Sequence, residues 1–505
     1  MTRAGDPVGG GLGESASRGA AVTVGSQLIR IGVQLAGIVV LARLLTPSDY
    51  GLVAMVMAVI GLGEVVRDFG LSSAAIQAKT LSRHQRDNLF WINTAIGLGL
   101  TLLVSAGSGL IAQLYDDARL QPLAAVLSLT FLVNGISTQY RAGLTRSLSF
   151  FGLSGSELLG QVVGLASGIA AALLGLGYWS LAVQQIAQAL FTLVLLVAVA
   201  RWLPGWIHRD APIRAFVGYG ASVFGSQLLG YAARNADTVI IGTRFGPFDV
   251  GLYNRAFQLM MLPIVQIQAP STRVALPILS RLQDERERFA AFINRGQVAL
   301  LTVVGLTFAF LGAQAESVIA VALGAQWAGA VPIFRILLIA GFFQAANYAV
   351  YWVFLAKGLT RSNFYYALAT RPVMIALIFV GSLWGVEGVA VAYSASVALT
   401  WPVALIWIAR VSDAPARDMF RNGARMLVAF GVATFVSYAA TLSLPQGADL
   451  LRLAVGLAAL LGTVALTAAV WSRFRRDLRG LAETRRYFRR VRSAPIDSDE
   501  EHSDD

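Results

Sequence analysis

Apolar stretches of about 20 residues recur from residue 21 to residue 472 with short polar connections between them. A hydrocarbon layer about 30 Å thick is crossed by about 20 apolar helical residues. Within it every backbone N–H and C=O must be paired inside the spanning element, which leaves helices or closed barrels. Runs of this length suit helices, so the fold class expected is an all-α integral membrane protein. We read about 14 spans. They lie at roughly 21–43, 49–66, 88–113, 120–139, 152–175, 179–200 and 216–242, then 250–272, 296–313, 329–354, 364–384, 388–409, 424–444 and 450–472. The eighth is expected to be broken by Pro263 and Pro270. The first is too long, and too close to Arg30, for a cleaved signal peptide.

Composition excludes the competing classes. Charged residues are 13% of the 505, against about 25% in soluble proteins. Hydrophobic residues are 56%, and mean hydropathy is +0.64. There are no cysteines, so a disulfide scaffold, a thiolate nucleophile and a cysteine metal site are ruled out. The three histidines, His84, His208 and His502, are far apart in sequence, and no metal or other cofactor is expected.

The formal charge is +12, and its placement sets the orientation. With an even number of spans both termini share one side. About 30 of the 40 basic residues fall on that side, and at most Arg43, Arg119, Arg244 and Arg452 on the other. Cytoplasmic loops carry the basic excess, so both termini are expected in the cytoplasm. The tail after Arg473 is basic and should lie on anionic lipid headgroups, whereas its acidic end, Asp497–Asp505, is expected to be disordered. Membrane lipid, not nucleic acid, is the partner this distribution implies.

The chain contains a repeat at an offset of 200. Ala21 and Gly25-Ser-Gln-Leu28 match Ala221 and Gly225-Ser-Gln-Leu228. Leu45-Thr-Pro-Ser-Asp-Tyr-Gly-Leu52 faces Phe245-Gly-Pro-Phe-Asp-Val-Gly-Leu252. A weaker echo relates Gly177–Val183 to Gly385–Val391. The repeat holds an even number of spans, so its copies share one topology about an axis along the membrane normal, as in transporters that bind substrate near the midplane. The organisation expected is a tail (1–20), a six-helix bundle (21–208), a second six-helix bundle (209–411), two further helices (412–475) and a basic-then-acidic cytoplasmic tail (476–505). Pro47 and Pro247 are expected to stop one helix, and Asp49 and Asp249 to cap the next.

The block Leu45–Leu52 after a first span resembles the polysaccharide transporter family, the oligosaccharide flippases of the multidrug/oligosaccharidyl-lipid/polysaccharide superfamily. Asp68-Phe-Gly-Leu-Ser-Ser-Ala-Ala-Ile-Gln77, Asn235-Ala-Asp-Thr-Val-Ile-Ile-Gly242 and Gly251-Leu-Tyr-Asn-Arg-Ala-Phe257 extend the resemblance, which runs from about residue 15 to 410. It implies a V-shaped molecule of two pseudo-symmetric six-helix bundles in the bacterial cytoplasmic membrane. It also implies alternating access that carries undecaprenyl-pyrophosphate-linked oligosaccharides for exopolysaccharide, capsule or O-antigen synthesis. A polysaccharide polymerase and its co-polymerase become partner candidates, and the monomer the expected functional unit.

Such a substrate defines which residues matter. Pyrophosphate cannot cross hydrocarbon unpaired, and arginine offers permanently charged bidentate donors for it. Thr23, Gln27, Arg30 and Gln34 form one polar stripe on the first span. Arg30 lies about 14 Å past Ala21, beyond easy snorkelling reach, so it either faces a wet or protein-lined cavity and contacts substrate or is a buried arginine paired with a structural acid. Arg30, Arg255 and Arg371, with Gln27 and Gln34, are the candidate cationic site. Gln344 and Asn347, with Tyr351, give the tenth span a polar face suited to sugar hydroxyls or to interhelical hydrogen bonds. Asp237 and Arg234, one turn apart, either pair with each other or serve gating and ion coupling. Glu64 and Asp68, with Arg67, read as a local salt bridge or gate at the cytoplasmic end of the second span.

Two other functions compete. A multidrug antiporter of the same superfamily needs cavity carboxylates to bind cations, and here deep arginines outnumber deep acids. A membrane glycosyltransferase or polymerase needs catalytic acids on a sizeable loop, and the longest outer loop, about 314–328, offers only Glu316. No phosphate-binding Gly-x-x-x-x-Gly-Lys-[Ser/Thr] loop occurs, so no ATP hydrolysis by that route is expected.

Overall fold

A computed structural model describes residues 11–68, 81–208, 214–445 and 447–480. Lys79, Arg209, most of the Asp68–Gln77 motif and the acidic end of the tail lie outside the described residues.

Each expected span meets a helix. These are α1 (Gly11–Leu44), α2 (Pro47–Asp68), α3 (Arg83–Ala106), α4 (Ser108–Tyr115), α5 (Leu120–Leu127) and α6 (Leu129–Arg146). Then follow α7 (Phe150–Leu173), α8 (Trp179–Ala200), α9 (Arg214–Phe245), α10 (Pro247–Arg281), α11 (Arg286–Ala313) and α12 (Ala315–Ala322). The last are α13 (Ala330–Ala356), α14 (Thr360–Gly381), α15 (Gly385–Val411), α16 (Ala416–Ala439) and α17 (Asp449–Val470). The third span is α3 plus α4, and the fourth is α5 plus α6. Among the described residues nine helical stretches are long and apolar enough to cross a membrane by length and composition, and one of them, 360–411, takes in both α14 and α15. Leu103, Leu110 and Val470 stay more than two-thirds exposed, as lipid-facing side chains should. This is an all-α multi-pass membrane protein.

One local expectation is corrected and one is refined. Pro263 and Pro270 do not break α10, which runs unbroken from Pro247 to Arg281. Spanning helices tolerate proline where neighbouring groups satisfy the freed carbonyls. At Pro47 and Asp49 the expectation is met with one refinement: α1 ends at Leu44, before the proline, and Asp49 helps to cap α2. Pro47 is the first residue of α2, where its missing N–H costs nothing. Asp49 sits three residues past Thr46 and reaches back to it: Thr46 donates its backbone N–H (2.8 Å) and its hydroxyl (2.7 Å) to the carboxylate. The Asp49 N–H donates to the Thr46 Oγ1 in return, which closes a reciprocal cap around Thr46.

The chain falls into two compact units, residues 1–255 with 322–330 and 378–389, and residues 256–321 with 331–377 and 390–505. This border differs from the 208/209 boundary read from the repeat, because α9 and the start of α10 pack with the N-terminal helices. The packing is reciprocal. A methyl group at Gly51 would run into the Pro247 carbonyl, with the Pro247 Cα 2.9 Å away. One at Gly251 would run into the Pro47 carbonyl, with the Pro47 Cα 3.1 Å away. Only glycine allows two helix ends to approach this closely. Lower down, the Tyr231 hydroxyl of α9 reaches the Met57 and Ala58 carbonyls of α2, each at 3.1 Å.

Small residues set the other contacts of this unit, as expected where lipid supplies no hydrophobic drive between helices. Gly160, Gly164 and Gly168 present a glycine row on α7 to Gln184, Gln188 and Thr192 of α8. Gly37 of α1 meets Leu165 of α7, and Gly97 of α3 meets the Phe131 carbonyl of α6. Beyond α8 the segment 201–208 is strapped to the start of α3. Asn88 donates to the His208 carbonyl (2.7 Å) and accepts from its N–H (2.8 Å), while the Trp91 indole donates to the Gly205 carbonyl (2.8 Å). The expected 314–328 loop is largely folded as α12 and a short 3-10 turn. In its second half Gln326 and the fully buried Trp327 satisfy carbonyls at the end of α1, Ala42 and Leu45.

The second unit is held by polar bridges between helices. Gln314 at the end of α11 donates to the Ser437 carbonyl of α16 (3.1 Å), and the Ser437 hydroxyl donates to the Gly456 carbonyl of α17 (2.7 Å). Ser394 of α15 donates to the Ile336 carbonyl of α13 (2.9 Å), and Tyr366 of α14 to the Thr400 carbonyl of α15 (3.0 Å).

Candidate functional site

Arg30 has an acidic partner that its sequence neighbourhood did not reveal. Its guanidinium lies 3.2 Å from one oxygen of Glu157 on α7, and the other oxygen accepts from Arg141 of α6 at 2.7 Å. One carboxylate therefore bridges two guanidiniums from different helices, and the three charges sum to +1. The Gly37–Leu165 contact brings α1 onto α7 and sets this meeting. The side chains are 37% (Arg30), 28% (Glu157) and 41% (Arg141) exposed, so the cluster is only partly covered by protein and is not sealed in a core. At 1.5 Å per helical residue Arg30 lies about 21 Å below Leu44. Arg141 is about 7 Å from the Arg146 end of α6, and Glu157 about 10 Å from the Phe150 end of α7. All three thus lie in the half of the layer away from Pro47.

Arg255 takes a different environment. Its guanidinium lies 3.5 Å from the centre of the Tyr50 ring, a cation–π contact between α10 and α2. It is about 12 Å along α10 from Pro247, nearer the Pro47 end than Arg30. The two arginines expected to form one patch thus sit at different depths with different partners. Arg371 belongs to the second unit, on α14 beside Pro372. Gln27 is exposed and Gln34 half-buried on α1.

Asp237 does not take Arg234 as its partner. Its carboxylate accepts from the Tyr253 hydroxyl (2.9 Å) and the Thr238 N–H (2.7 Å), buried between α9 and α10. The Arg234 guanidinium folds along its own helix past Gly230. Glu64 does join Arg67, at 2.6 Å. Arg67 also donates to the Thr138 hydroxyl (2.6 Å), and Glu64 accepts from the Asn134 amide (2.8 Å), so the pair ties α2 to α6. Asp68 sits at the last residue of α2. On α13, Asn347 donates to the Val397 carbonyl of α15 at 3.4 Å, an interhelical bond, while the Gln344 Oε1 is buried with no hydrogen-bond partner in the described structure. Tyr351 is partly exposed beside Tyr348.

Sequence reading singled out neither Glu157 nor Arg141. The signal for Glu157 was present: it is the one acid in the apolar helix 150–173.

A family model described as "Polysaccharide biosynthesis protein" matches residues 40–332, more than half of the chain. The lipopolysaccharide biosynthesis protein WzxC of Escherichia coli (strain K12) is 24% identical over 393 residues, covering 76% of this chain and 78% of that protein. The teichuronic acid biosynthesis protein TuaB of Bacillus subtilis (strain 168) is 28% identical, covering 60% of this chain and 63% of its own length. The succinoglycan biosynthesis transport protein ExoT of Rhizobium meliloti (strain 1021) is 27% identical, covering 61% of this chain and 62% of its own. Among solved structures, the lipid II flippase MurJ in an inward closed conformation shares the fold with a TM-score of 0.72, covering 91% of this chain and 99% of that one at 15% identity. An inward-facing multidrug resistance MATE transporter shares it at 0.58, covering 78% and 96%.

Proposed function

This chain belongs to the polysaccharide biosynthesis protein family, and from that premise we propose that it is a flippase, not an enzyme. It carries undecaprenyl-pyrophosphate-linked oligosaccharide units across the cytoplasmic membrane by alternating access. Relatives named for lipopolysaccharide, teichuronic acid and succinoglycan synthesis favour a lipid-linked glycan over the drugs of a multidrug antiporter. The observation that carries the reading is the partly exposed guanidinium pair Arg30 and Arg141, on two different helices and sharing one carboxylate, in the half of the layer away from Pro47. Charges within spans pair with one another or line a polar path, and here one carboxylate serves two guanidiniums and leaves a net positive charge for an anionic passenger. Both termini face the cytoplasm, and the anionic headgroup is engaged from that side, where these arginines lie.

Arg30 is the main phosphate donor in this reading, with Arg255 a second cationic stop farther along the path. Arg371, Gln27, Gln34, Gln344 and Asn347 are secondary contacts, the amides for sugar hydroxyls. Asp237, with Arg234, is an ion-coupling candidate, and Glu64 and Asp68 belong to a cytoplasmic gate. The repeat supplies two six-helix bundles, 21–208 and 209–411, and the protein works as a monomer alongside a polysaccharide polymerase and co-polymerase.

The test is reconstitution into liposomes with a defined undecaprenyl-pyrophosphate oligosaccharide, reading glycan exposure on the far leaflet. Wild-type protein should expose it, and Arg30→Ala should not. Transport of that lipid by a well-folded Arg30→Ala, Arg255→Ala double variant at the wild-type rate would return both arginines to a structural role.

A further inference from the structure

Glu157 is the feature that a plain anion site does not explain. A carboxylate held against two guanidiniums occupies the donors that a phosphate would use. A structural salt bridge would be expected to sit in a closed interface, yet all three side chains remain between a quarter and a half exposed. The carboxylate also places only one oxygen on each arginine, 3.2 Å from Arg30 and 2.7 Å from Arg141. Each guanidinium has five N–H donors, so most stay available.

We propose that Glu157 is a resident stand-in for the substrate's phosphate: it holds Arg30 and Arg141 in register while the protein is empty, yields them to an entering pyrophosphate, and takes them back on release. This rests on the flippase reading above and names the residue that sets how tightly, and for how long, the headgroup is held. The chemistry favours exchange in both directions. A pyrophosphate diester brings two negative charges and several acceptor oxygens, so it outcompetes a single carboxylate for two bidentate donors. Without an anion the two guanidiniums would face each other across an accessible gap and repel. The returning carboxylate removes that cost, which keeps the empty and loaded forms close in free energy. A carrier needs this, because it must turn over in both forms. An unopposed arginine pair would bind tightly and release slowly.

The variant that separates this role from scaffolding is Glu157→Gln, which keeps the side-chain length and a hydrogen-bond acceptor and removes the competing charge. Full-length protein in lipid nanodiscs is titrated with farnesyl pyrophosphate, and bound probe is then chased to give the dissociation rate. Loss of two exposed ion pairs should tighten binding about three- to tenfold in Glu157→Gln. Most of the change should appear as slower dissociation. In liposomes the same variant should lower KM and kcat together for the undecaprenyl-pyrophosphate glycan. Arg141→Ala should weaken probe binding, and Glu157→Asp should restore wild-type behaviour in part. A structural role predicts the opposite sign, with Glu157→Gln binding more weakly because the arginines lose their register. Unchanged or weaker probe binding by folded Glu157→Gln overturns the stand-in role while leaving the flippase reading intact. If wild-type protein binds no farnesyl pyrophosphate and moves no pyrophosphate-linked glycan, the flippase reading falls first and this inference with it.

Discussion

Gly51→Ala should pry apart the helix ends at Pro47 and Pro247. The added Cβ would sit 2.5 Å from the Pro247 carbonyl carbon and 2.9 Å from its Cα, and closer still to the oxygen. Carbon atoms rest about 3.5–4.0 Å apart, so α2 and the start of α10 must part by about 1 Å or more. The obstacle is backbone, which no rotamer change can remove. Overpacking of this kind costs about 1–3 kcal/mol, a shift of about 5- to 150-fold in the balance between the closed contact and states in which the ends are apart. The chain has no cysteine, so a single reporter is free of background. Met55, one turn below Gly51 and wholly buried, is a suitable place. When reclosing outpaces reaction, labelling follows the open population. Met55→Cys should therefore react with an impermeant maleimide about 5- to 150-fold faster when combined with Gly51→Ala. Gly99→Ala, whose Cβ would meet nothing within 4 Å, serves as the control and should leave the rate unchanged. Gly251→Ala should act like Gly51→Ala, and the two together should fall short of the sum, because one separation relieves both clashes. Labelling rates within twofold of the control in both single variants would refute the close-approach reasoning.

Other expectations follow from single contacts. Arg30→Lys should recover only part of the transport that Arg30→Ala loses in the liposome assay, since lysine keeps the charge but not the bidentate fork. Gly164→Val should lower the detergent-solubilised melting temperature, because its Cβ would already lie 2.6 Å from that of Gln188 across the α7–α8 contact, and the added methyls worsen the clash by about 1–3 kcal/mol. Asn88→Ala removes both hydrogen bonds that hold His208, and limited proteolysis should then cut near 201–208 faster, in line with a loss of about 1–3 kcal/mol. Gln326→Ala, which strips the Ala42 and Leu45 carbonyls of an amide donor, should reduce thermal stability by a similar amount with little change in the substrate KM.

The helices were legible in the sequence because their signal is simple: length and apolarity locate a span whatever surrounds it. Proline misled at one place and was half-read at another. At Pro263 the helix interior was judged by rules for water, although a membrane helix is under heavier pressure to stay helical. At Pro47 a helix does end, α1 stopping at Leu44, and the proline's fixed φ also makes it the first residue of the next. The site was less legible, since it depends on which helix faces which. Arg30 stood out from its depth alone. Its partner Glu157 lies 127 residues away, and only the glycine-mediated approach of α1 to α7 brings the two together. The same holds for Asp237, where the nearer arginine was the obvious choice and the tyrosine of the next helix is the actual partner.

The paired contact of Gly51 with Pro247 and of Gly251 with Pro47 is isologous in the sense used for twofold dimers: each half offers the same glycine and the same carbonyl to the other. A surface of that kind is self-complementary, so it would serve two separate copies of a half as well as two halves joined in one chain. Joined in one chain, each half can change alone, and the charged residues differ between them. At the offset of 200, Arg30 corresponds to Gly230, Asp237 to Gly37, Arg255 to Met55 and Tyr50 to Val250. The close contact stayed twofold while these charged positions became one-sided. In a dimer of identical halves each of them would appear twice, related by the axis; in this chain each appears once.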